Sequence, residues 1–299
     1  MRHDNLVSVV ILNLNGEEHT SECIKSLADS DYRDFHVILV DNGSTDDSPQ
    51  KLKQRFPSVS FIRNNSNLGF CRGVNIGIEY ALENTTSKYI LLLNNDTAVN
   101  KNFLYELVDV FMEHKDIGIV GGVEYRYDRP DKIRMAGHKF FWWIGLQGRV
   151  KKVRAPGPRD VQSVPGSCLM IRKKVIEKIG LLDERFFAYY DDADWCFRAR
   201  NAGYRVAYSP KAGIRHRASQ VIKKRTPEEY YFYARNQPLF MLKHCPRLFL
   251  ANYFIVYFLK IFLRVIYFKL TAQKEKSSAV FKGFSDFLKG NYGKGWFND

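Results

Sequence analysis

The chain has 299 residues, long for one ordinary domain and short for two large ones. A hydrophobic fraction of 45%, with 14% aromatic residues, supplies an ample core and excludes global disorder. The formal net charge of +14 is concentrated from Lys211 onward and calls for an anionic partner; the apolar residues among these cations favour a membrane surface, and no nucleic-acid-binding motif accompanies them.

Cys23, Cys71, Cys168, Cys196 and Cys245 are odd in number and form no C-x-x-C pair, so neither a zinc site nor a disulfide framework is indicated. A reduced, cytosolic setting fits them best. The polar stretch Met1–Leu6 leads straight into a strand and does not read as a signal peptide.

Val7–Leu14 is a β-branched apolar run that predicts a first strand, followed by a helix near His19–Ala28. Phe35–Val40 predicts a second strand, closed by the turn cluster Asp41-Asn42-Gly43-Ser44. A helix from Ser48 to Phe56, a strand over Val59–Arg63, a helix over Leu68–Leu82 and a strand over Tyr89–Leu93 follow, then a helix near Lys101–Glu113. This alternation predicts a doubly wound, mostly parallel α/β sheet. Ligands bind such sheets beyond the carboxyl ends of the strands, where Asp41–Ser44 and Asn94-Asn95-Asp96 fall.

From Glu124 to Ser163 the alternation lapses, and an aromatic, basic stretch holding Phe140–Trp143 reads as an insertion, a lid or acceptor-side loop. Order resumes at Val164–Arg172, with helices near Lys173–Ile179 and Asp194–Asn201 stopped at Gly180 and Gly203. Arg205–Tyr208 and Gly213–His216 read as two short extended segments.

Several groups of residues carry candidate chemistry. Asp41 can accept hydrogen bonds from a base or ribose. Gly69, Gly73 and Gly77 share one helix face; each costs roughly 1 kcal/mol against alanine, so close packing on the sheet is expected at Gly73 and Gly77, while Gly69 is open between packing and phosphate approach. The spacing is neither a dinucleotide fingerprint nor a P-loop. Asp96, ending an apolar strand beside two amides, suits a hard divalent cation, though a helix cap explains it comparably well. In Phe186–Trp195 three carboxylates follow four aromatics; capping accounts for one or two, and one can serve as general base. His216 is either structural or a further metal ligand, and Arg215 and Arg217 beside it can meet phosphate.

Val9–Gly16, Val40–Asp46, Asn67–Phe70, Asn94–Asp96 and Phe186–Trp195, in that order over about residues 5–245, resemble family-2 glycosyltransferases, especially the rhamnosyltransferase-like branch. The resemblance implies a GT-A fold, an inverting mechanism, a nucleotide-diphosphate sugar donor and Mn²⁺ or Mg²⁺. It implies Asp192 as catalytic base and Asp96 with His216 at the metal. Donor contacts are implied at Asn13, Asn15, Asp41, Asn67, Arg72, Asn75 and Asn95. The wider family's metal motif is Asp-x-Asp, and its first position here is Asn94.

Residues 1–242 are then a catalytic domain, with a nucleotide-binding half (1–123) and an acceptor and base half (124–242). Residues 243–299 form a basic, apolar helical tail. Leu248–Phe268 is long enough to span a bilayer, but Lys260 and Arg264 interrupt it on one helix face. An in-plane helix on an anionic membrane is expected, peripheral on the inner face of the cell membrane, with a buried helix or a homo-oligomer contact as the other reading. The acceptor expected is a saccharide or lipid-linked glycan. A nucleotidyltransferase would want a glycine-rich phosphate loop after the first strand, which Asn13–Glu18 lacks; an inactive membrane-bound scaffold is the non-enzymatic alternative.

Overall fold

The computed structural model describes residues 6–153, 156–217 and 225–297. β1 (Val7–Asn13), α1 (Glu17–Ala28), β2 (Phe35–Asp41), α2 (Ser48–Arg55), β3 (Ser60–Arg63), α3 (Gly69–Asn84) and β4 (Tyr89–Asn94) alternate as the sequence predicts. All four strands pair in parallel, in the order β4-β1-β2-β3. β1 runs between neighbours reached in opposite directions, and its carboxyl end, where Asn13, Asp41 and Asn94 come together, is the place where sheets of this kind bind ligands.

α3 lies on the sheet through its glycine face. A Cβ at Gly73 would come within 2.6 Å of Leu12 Cδ1, and one at Gly77 would collide with Val10, so both are required by packing. Gly69 has φ +83°, and a Cβ there would enter the Phe187 ring. Its need is therefore both conformational and steric.

β5 (Thr97–Val99), α4 (Phe103–Glu113), β6 (Ile117–Arg126), β7 (Ile133–Met135), β8 (Gly137–Phe141), β9 (Leu146–Val150), β10 (Arg159–Asp160), β11 (Cys168–Arg172), α5 (Lys173–Ile179), α6 (Asp191–Asn201) and β12 (Arg205–His216) complete the α/β body. The sheet reads β10-β12-β6-β11-β4-β1-β2-β3, with β5 added to β12 and β7 to β6. β11 is antiparallel to both neighbours, so the sheet is mixed, with β4-β1-β2-β3 as a parallel block. Apolar cores cover both faces.

Three expectations change. The aromatic stretch is not a loop: β8 and β9 form a hairpin whose Phe140 packs edge-on against Phe197, at 5.2 Å between ring centres, and beside Phe240 at 4.9 Å. The two short segments after Gly203 are one strand, β12, with an irregularity between Tyr208 and Gly213. β6 was unread because Gly118, Gly121 and Gly122 lower its strand character; Cβ atoms there would come within 2.7 Å of Tyr204, Val164 and Ala212, respectively, so close approach explains the glycines.

Three helices follow: α7 (Pro227–His244), and then α8 (Arg247–Leu270) and α9 (Lys274–Lys289), which make up the tail. Thr226 and Glu229 form a capping box at the start of α7, with Pro227 in its first turn. α8 is long and apolar enough to cross a membrane. Yet Tyr253, Tyr257, Ile261 and Phe268 are buried on one face of it, while Ile255, Leu259, Phe262, Leu263, Tyr267 and Leu270 form an exposed stripe.

Candidate active site

At the donor rim, Asp41 is fully buried. Its Oδ1 accepts from Asn13 Nδ2 at 2.9 Å and Ser44 Oγ at 2.5 Å, and its Oδ2 accepts the Ser44 N–H at 3.2 Å. Asn13 also donates to Ser48 Oγ at 3.1 Å and accepts from Thr20 Oγ1 at 2.8 Å. Asn15, in the left-handed region at φ 50°, accepts the Thr45 N–H at 2.8 Å. Asn67 accepts from Asn42 Nδ2 and the Gly69 N–H, which fixes the start of α3. This network fixes the turns that follow β1 and β2.

Arg72 and Asn75 face elsewhere. Arg72 pairs with Glu184 at 3.1 Å and Glu79 at 3.3 Å. Asn75 donates to the Leu182 carbonyl and accepts the Leu182 N–H, both at 3.0 Å. They fasten the segment leading into the acidic turn. Asn95 Nδ2 donates to Thr20 Oγ1 at 3.0 Å.

Asp96 and His216 meet: His216 Nε2 lies 2.9 Å from Asp96 Oδ1. The antiparallel register of β5 and β12, with His216 opposite Thr97, brings them together. On the other side of the imidazole, Nδ1 bonds to buried Glu124, which pairs with Arg134 at 2.5 Å. Burial alone would lower the pKa of His216; its bonds to Asp96 and Glu124 raise it to about 9. Burial opposes ionisation of Glu124, but His216 and Arg134 hold its carboxyl below the usual range.

Among the described residues, no group of three or more His, Cys, Asp and Glu side chains forms a metal cage. Asp96 and His216, 2.9 Å apart, are the residues that would hold a cation, with His216 giving up the Nε2 proton that its pairing with Asp96 favours.

Sequence reasoning missed Glu124 and Arg134. A signal was present: Glu124 closes the apolar and glycine run Ile117–Val123, as Asp41 closes the apolar run Val37–Val40.

The structure separates the three acidic residues of Asp191–Asp194. Asp194 is buried and structural, pairing with Arg198 at 2.8 Å, His244 at 2.7 Å and Lys243 at 2.5 Å. Asp191 is buried, and that burial, reinforced by the Asp192 carboxylate, pushes its carboxyl up to about 8. Asp192 is half-buried and opens on the cavity, accepting the Gly166 N–H at 2.9 Å and the Ala193 N–H at 2.7 Å.

The backbone leading into α6 is strained: Phe187, Tyr189 and Tyr190 have φ of 62°, 67° and 70°. Helix α7 holds it there. Asn236 Nδ2 donates to the carbonyls of Phe186, Ala188 and Tyr189 at 2.8, 2.7 and 3.1 Å. Buried Arg235 adds a bond to Phe186 at 3.0 Å, and Phe187 stacks on Phe232. The aromatics before the carboxylates are thus partly core and partly wall, for Tyr189 and Tyr190 line the cavity.

That cavity holds about 530 Å³ and is lined by Asn94, Ser167, Asp192 and His216 from the sheet side, by the β8–β9 hairpin, and by Lys260 and Arg264 from α8. A cavity lined by Asp191 and Asp192 of the acidic turn, beside the carboxyl ends of parallel strands, fits the layout of a GT-A glycosyltransferase. The family model described as "Glycosyl transferase family 2" matches residues 8–180. The chain belongs to that family.

Over 235 residues it is 29% identical to the N-acetylglucosaminyl-diphospho-decaprenol L-rhamnosyltransferase of Mycobacterium tuberculosis, covering 71% of this chain and 76% of that protein. It is 27% identical over 222 residues to the dTDP-rhamnosyl transferase RfbF of Shigella flexneri, covering 71% of this chain and 73% of that one. The fold matches the mannosyltransferase PcManGT of Pyrobaculum calidifontis, solved with GDP-Man and Mn²⁺. That match has a TM-score of 0.61 at 13% identity and covers 100% of this chain and 89% of the other.

Proposed function

We propose that this glycosyltransferase moves a sugar, rhamnose first among candidates, from a nucleoside diphosphate to a saccharide on a lipid diphosphate, with inversion, during cell-surface glycan assembly. The observation that carries the reading is the shared cavity: Asp192, Asn94 and His216 line the same space. Both relatives described above are named as rhamnosyltransferases, which motivates the sugar.

In this reading Asp192 takes the acceptor hydroxyl proton as that oxygen bonds the anomeric carbon. The bond from the anomeric carbon to the diphosphate breaks, and its electron pair leaves with the nucleoside diphosphate. Asp96 and His216 would hold Mn²⁺ or Mg²⁺, which supplies positive charge to the departing diphosphate. Asn13, Asn15, Asp41 and Asn67 shape the nucleotide crevice, and Asn95 stiffens its wall; Arg72 and Asn75 act through the Leu182–Glu184 segment. The exposed stripe on α8, with Phe281 and Leu288 exposed on α9, rests on an anionic membrane, placing the enzyme peripherally on the inner face. Residues 1–242 then work as the catalytic domain and 243–299 as its membrane-facing extension.

The test is a transfer assay with dTDP-rhamnose and other nucleotide sugars, Mn²⁺ and a short-chain saccharide-diphospho-alkyl acceptor. Product whose new linkage has the opposite anomeric configuration to the donor is expected. Product with retained configuration would remove the inverting mechanism, and no product from any donor would remove the transferase reading.

A further inference from the structure

Lys260 and Arg264 interrupt the apolar sequence of α8, and the fold turns both into the cavity wall instead of leaving them at the outer surface. Arg225, just before α7, joins them. Among the described residues, none of the three makes an ion pair with a carboxylate. The charged groups acting on Lys260 are Arg264 and Arg225, both positive. The partners of the two arginines are π faces: Arg225 lies 4.1 Å from the Tyr233 ring centre and Arg264 5.7 Å from that of Tyr230. Burial, then these two neighbours, lowers the pKa of Lys260 to about 8. Three cations crowded into a partly desolvated wall, without a counter-charge, are costly until an anion enters.

The position of the cluster selects the anion. Tyr190 and Tyr233 each lie within electrostatic reach of both Asp192 and Arg225. His216 instead interacts with Asp96 and Glu124. The cations reach the cavity from α8 and from the residue pair before α7, whereas His216 and Asp96 come from the β5–β12 ladder of the sheet. The same helix carries the exposed apolar stripe on its outer face, so a phosphate held here has a hydrocarbon path leading away from it.

We propose that Arg225, Lys260 and Arg264 form the acceptor's phosphate subsite, taking the diphosphate of an amphiphile whose chain leaves along α8; this rests on the lipid-linked acceptor reading above. Guanidinium and ammonium groups together suit a multi-oxygen dianion. The tail would thus be a component of the acceptor site as well as an anchor.

The experiment compares full-length wild type with Lys260→Ala/Arg264→Ala and with Lys260→Arg, using calorimetry with a decyl diphosphate probe, a neutral decyl glycoside and a nucleoside diphosphate with Mn²⁺. The double variant is expected to lose decyl diphosphate affinity by about tenfold or more while its affinity for the other two is retained, and Lys260→Arg to keep most of it. In turnover, the ratio of kcat/KM for a saccharide-diphospho-alkyl acceptor to that for the neutral glycoside should fall by a similar factor.

Equal loss for all three probes would reduce the cluster to a structural role. Loss confined to the nucleoside diphosphate would assign it to the donor. Inorganic pyrophosphate competing as well as decyl diphosphate would make it a site for free phosphate. Any of these overturns the proposal. Binding needs no turnover, so a wild type that binds decyl diphosphate through this cluster but transfers nothing would sink the functional reading and leave the subsite standing.

Discussion

His216 Nε2 and Asp96 Oδ1 stand 2.9 Å apart because the antiparallel β5–β12 ladder sets one residue against the other's neighbour. The second ring nitrogen of His216 is held by Glu124, and Glu124 by Arg134. The imidazole is therefore oriented from both sides before any donor arrives. A histidine held this way presents a fixed direction to a cation or to phosphate oxygens.

Replacing Glu124 with Gln removes the charge behind the imidazole and leaves Arg134 with a weaker partner. Binding of a nucleoside diphosphate in the presence of Mn²⁺ is expected to weaken by about 10–100-fold, the range seen when an outer partner of a ligating histidine is lost. Isothermal calorimetry with and without Mn²⁺ reads this directly. An unchanged metal-dependent affinity would show that Glu124 does not orient the site.

Asp192→Asn keeps the bonds to the Gly166 and Ala193 N–H groups through the amide oxygen, so the turn should survive. Turnover should fall by about 10²–10⁴-fold, the usual contribution of a general base. Donor affinity should stay within twofold or so, since no donor contact is removed. Wild-type turnover in this variant would transfer the base role to another group.

The first half of the chain was legible because its physics is local. Runs such as Val37–Val40 and Ile90–Leu93 read as buried strands, and the polar residues after them fall at the ligand-binding rim. The second half was obscure because its order depends on distant partners. β6 is glycine-rich, so its strand character comes from close packing against Tyr204, Val164 and Ala212. Lys260 and Arg264 read as interruptions of an apolar helix; only the packing of α8 shows that they face the cavity. The start of α6 was placed at Asp194, and the structure begins it at Asp191 because Tyr190 takes a left-handed conformation there. Nothing in the local sequence announces three left-handed residues within four positions, since the restraint comes from Asn236, far along the chain.

Asn236→Ala removes three hydrogen bonds to that strained segment. The buried carbonyls left behind should cost about 2–3 kcal/mol of stability. Urea unfolding measures that loss, and turnover should drop further than the folded fraction does, because the turn that aims Asp192 relaxes. A variant that is destabilised but retains full turnover per folded molecule would separate the clamp from catalysis.

Asp191 provides a pH signature independent of turnover. Its carboxyl is raised to about 8 by burial and by neighbouring Asp192, against about 3.9 for a free aspartate. Between those values the folded chain keeps a proton that the unfolded chain releases. The folded state binds more protons there, so this residue's contribution to stability declines as pH rises from about 4 and levels off above about 8. The slope can reach about 1.4 kcal/mol per pH unit and no more. Asp191→Asn keeps a neutral side chain of the same shape at every pH and removes the slope. The gap between the urea midpoints of Asp191→Asn and wild type should therefore widen in the variant's favour from about pH 5 to about pH 8. A gap that stays constant across that range would mean the carboxyl ionises normally in the fold. Asp191 would then carry charge in the fold, and the argument that sets it apart from Asp192 would lose its basis.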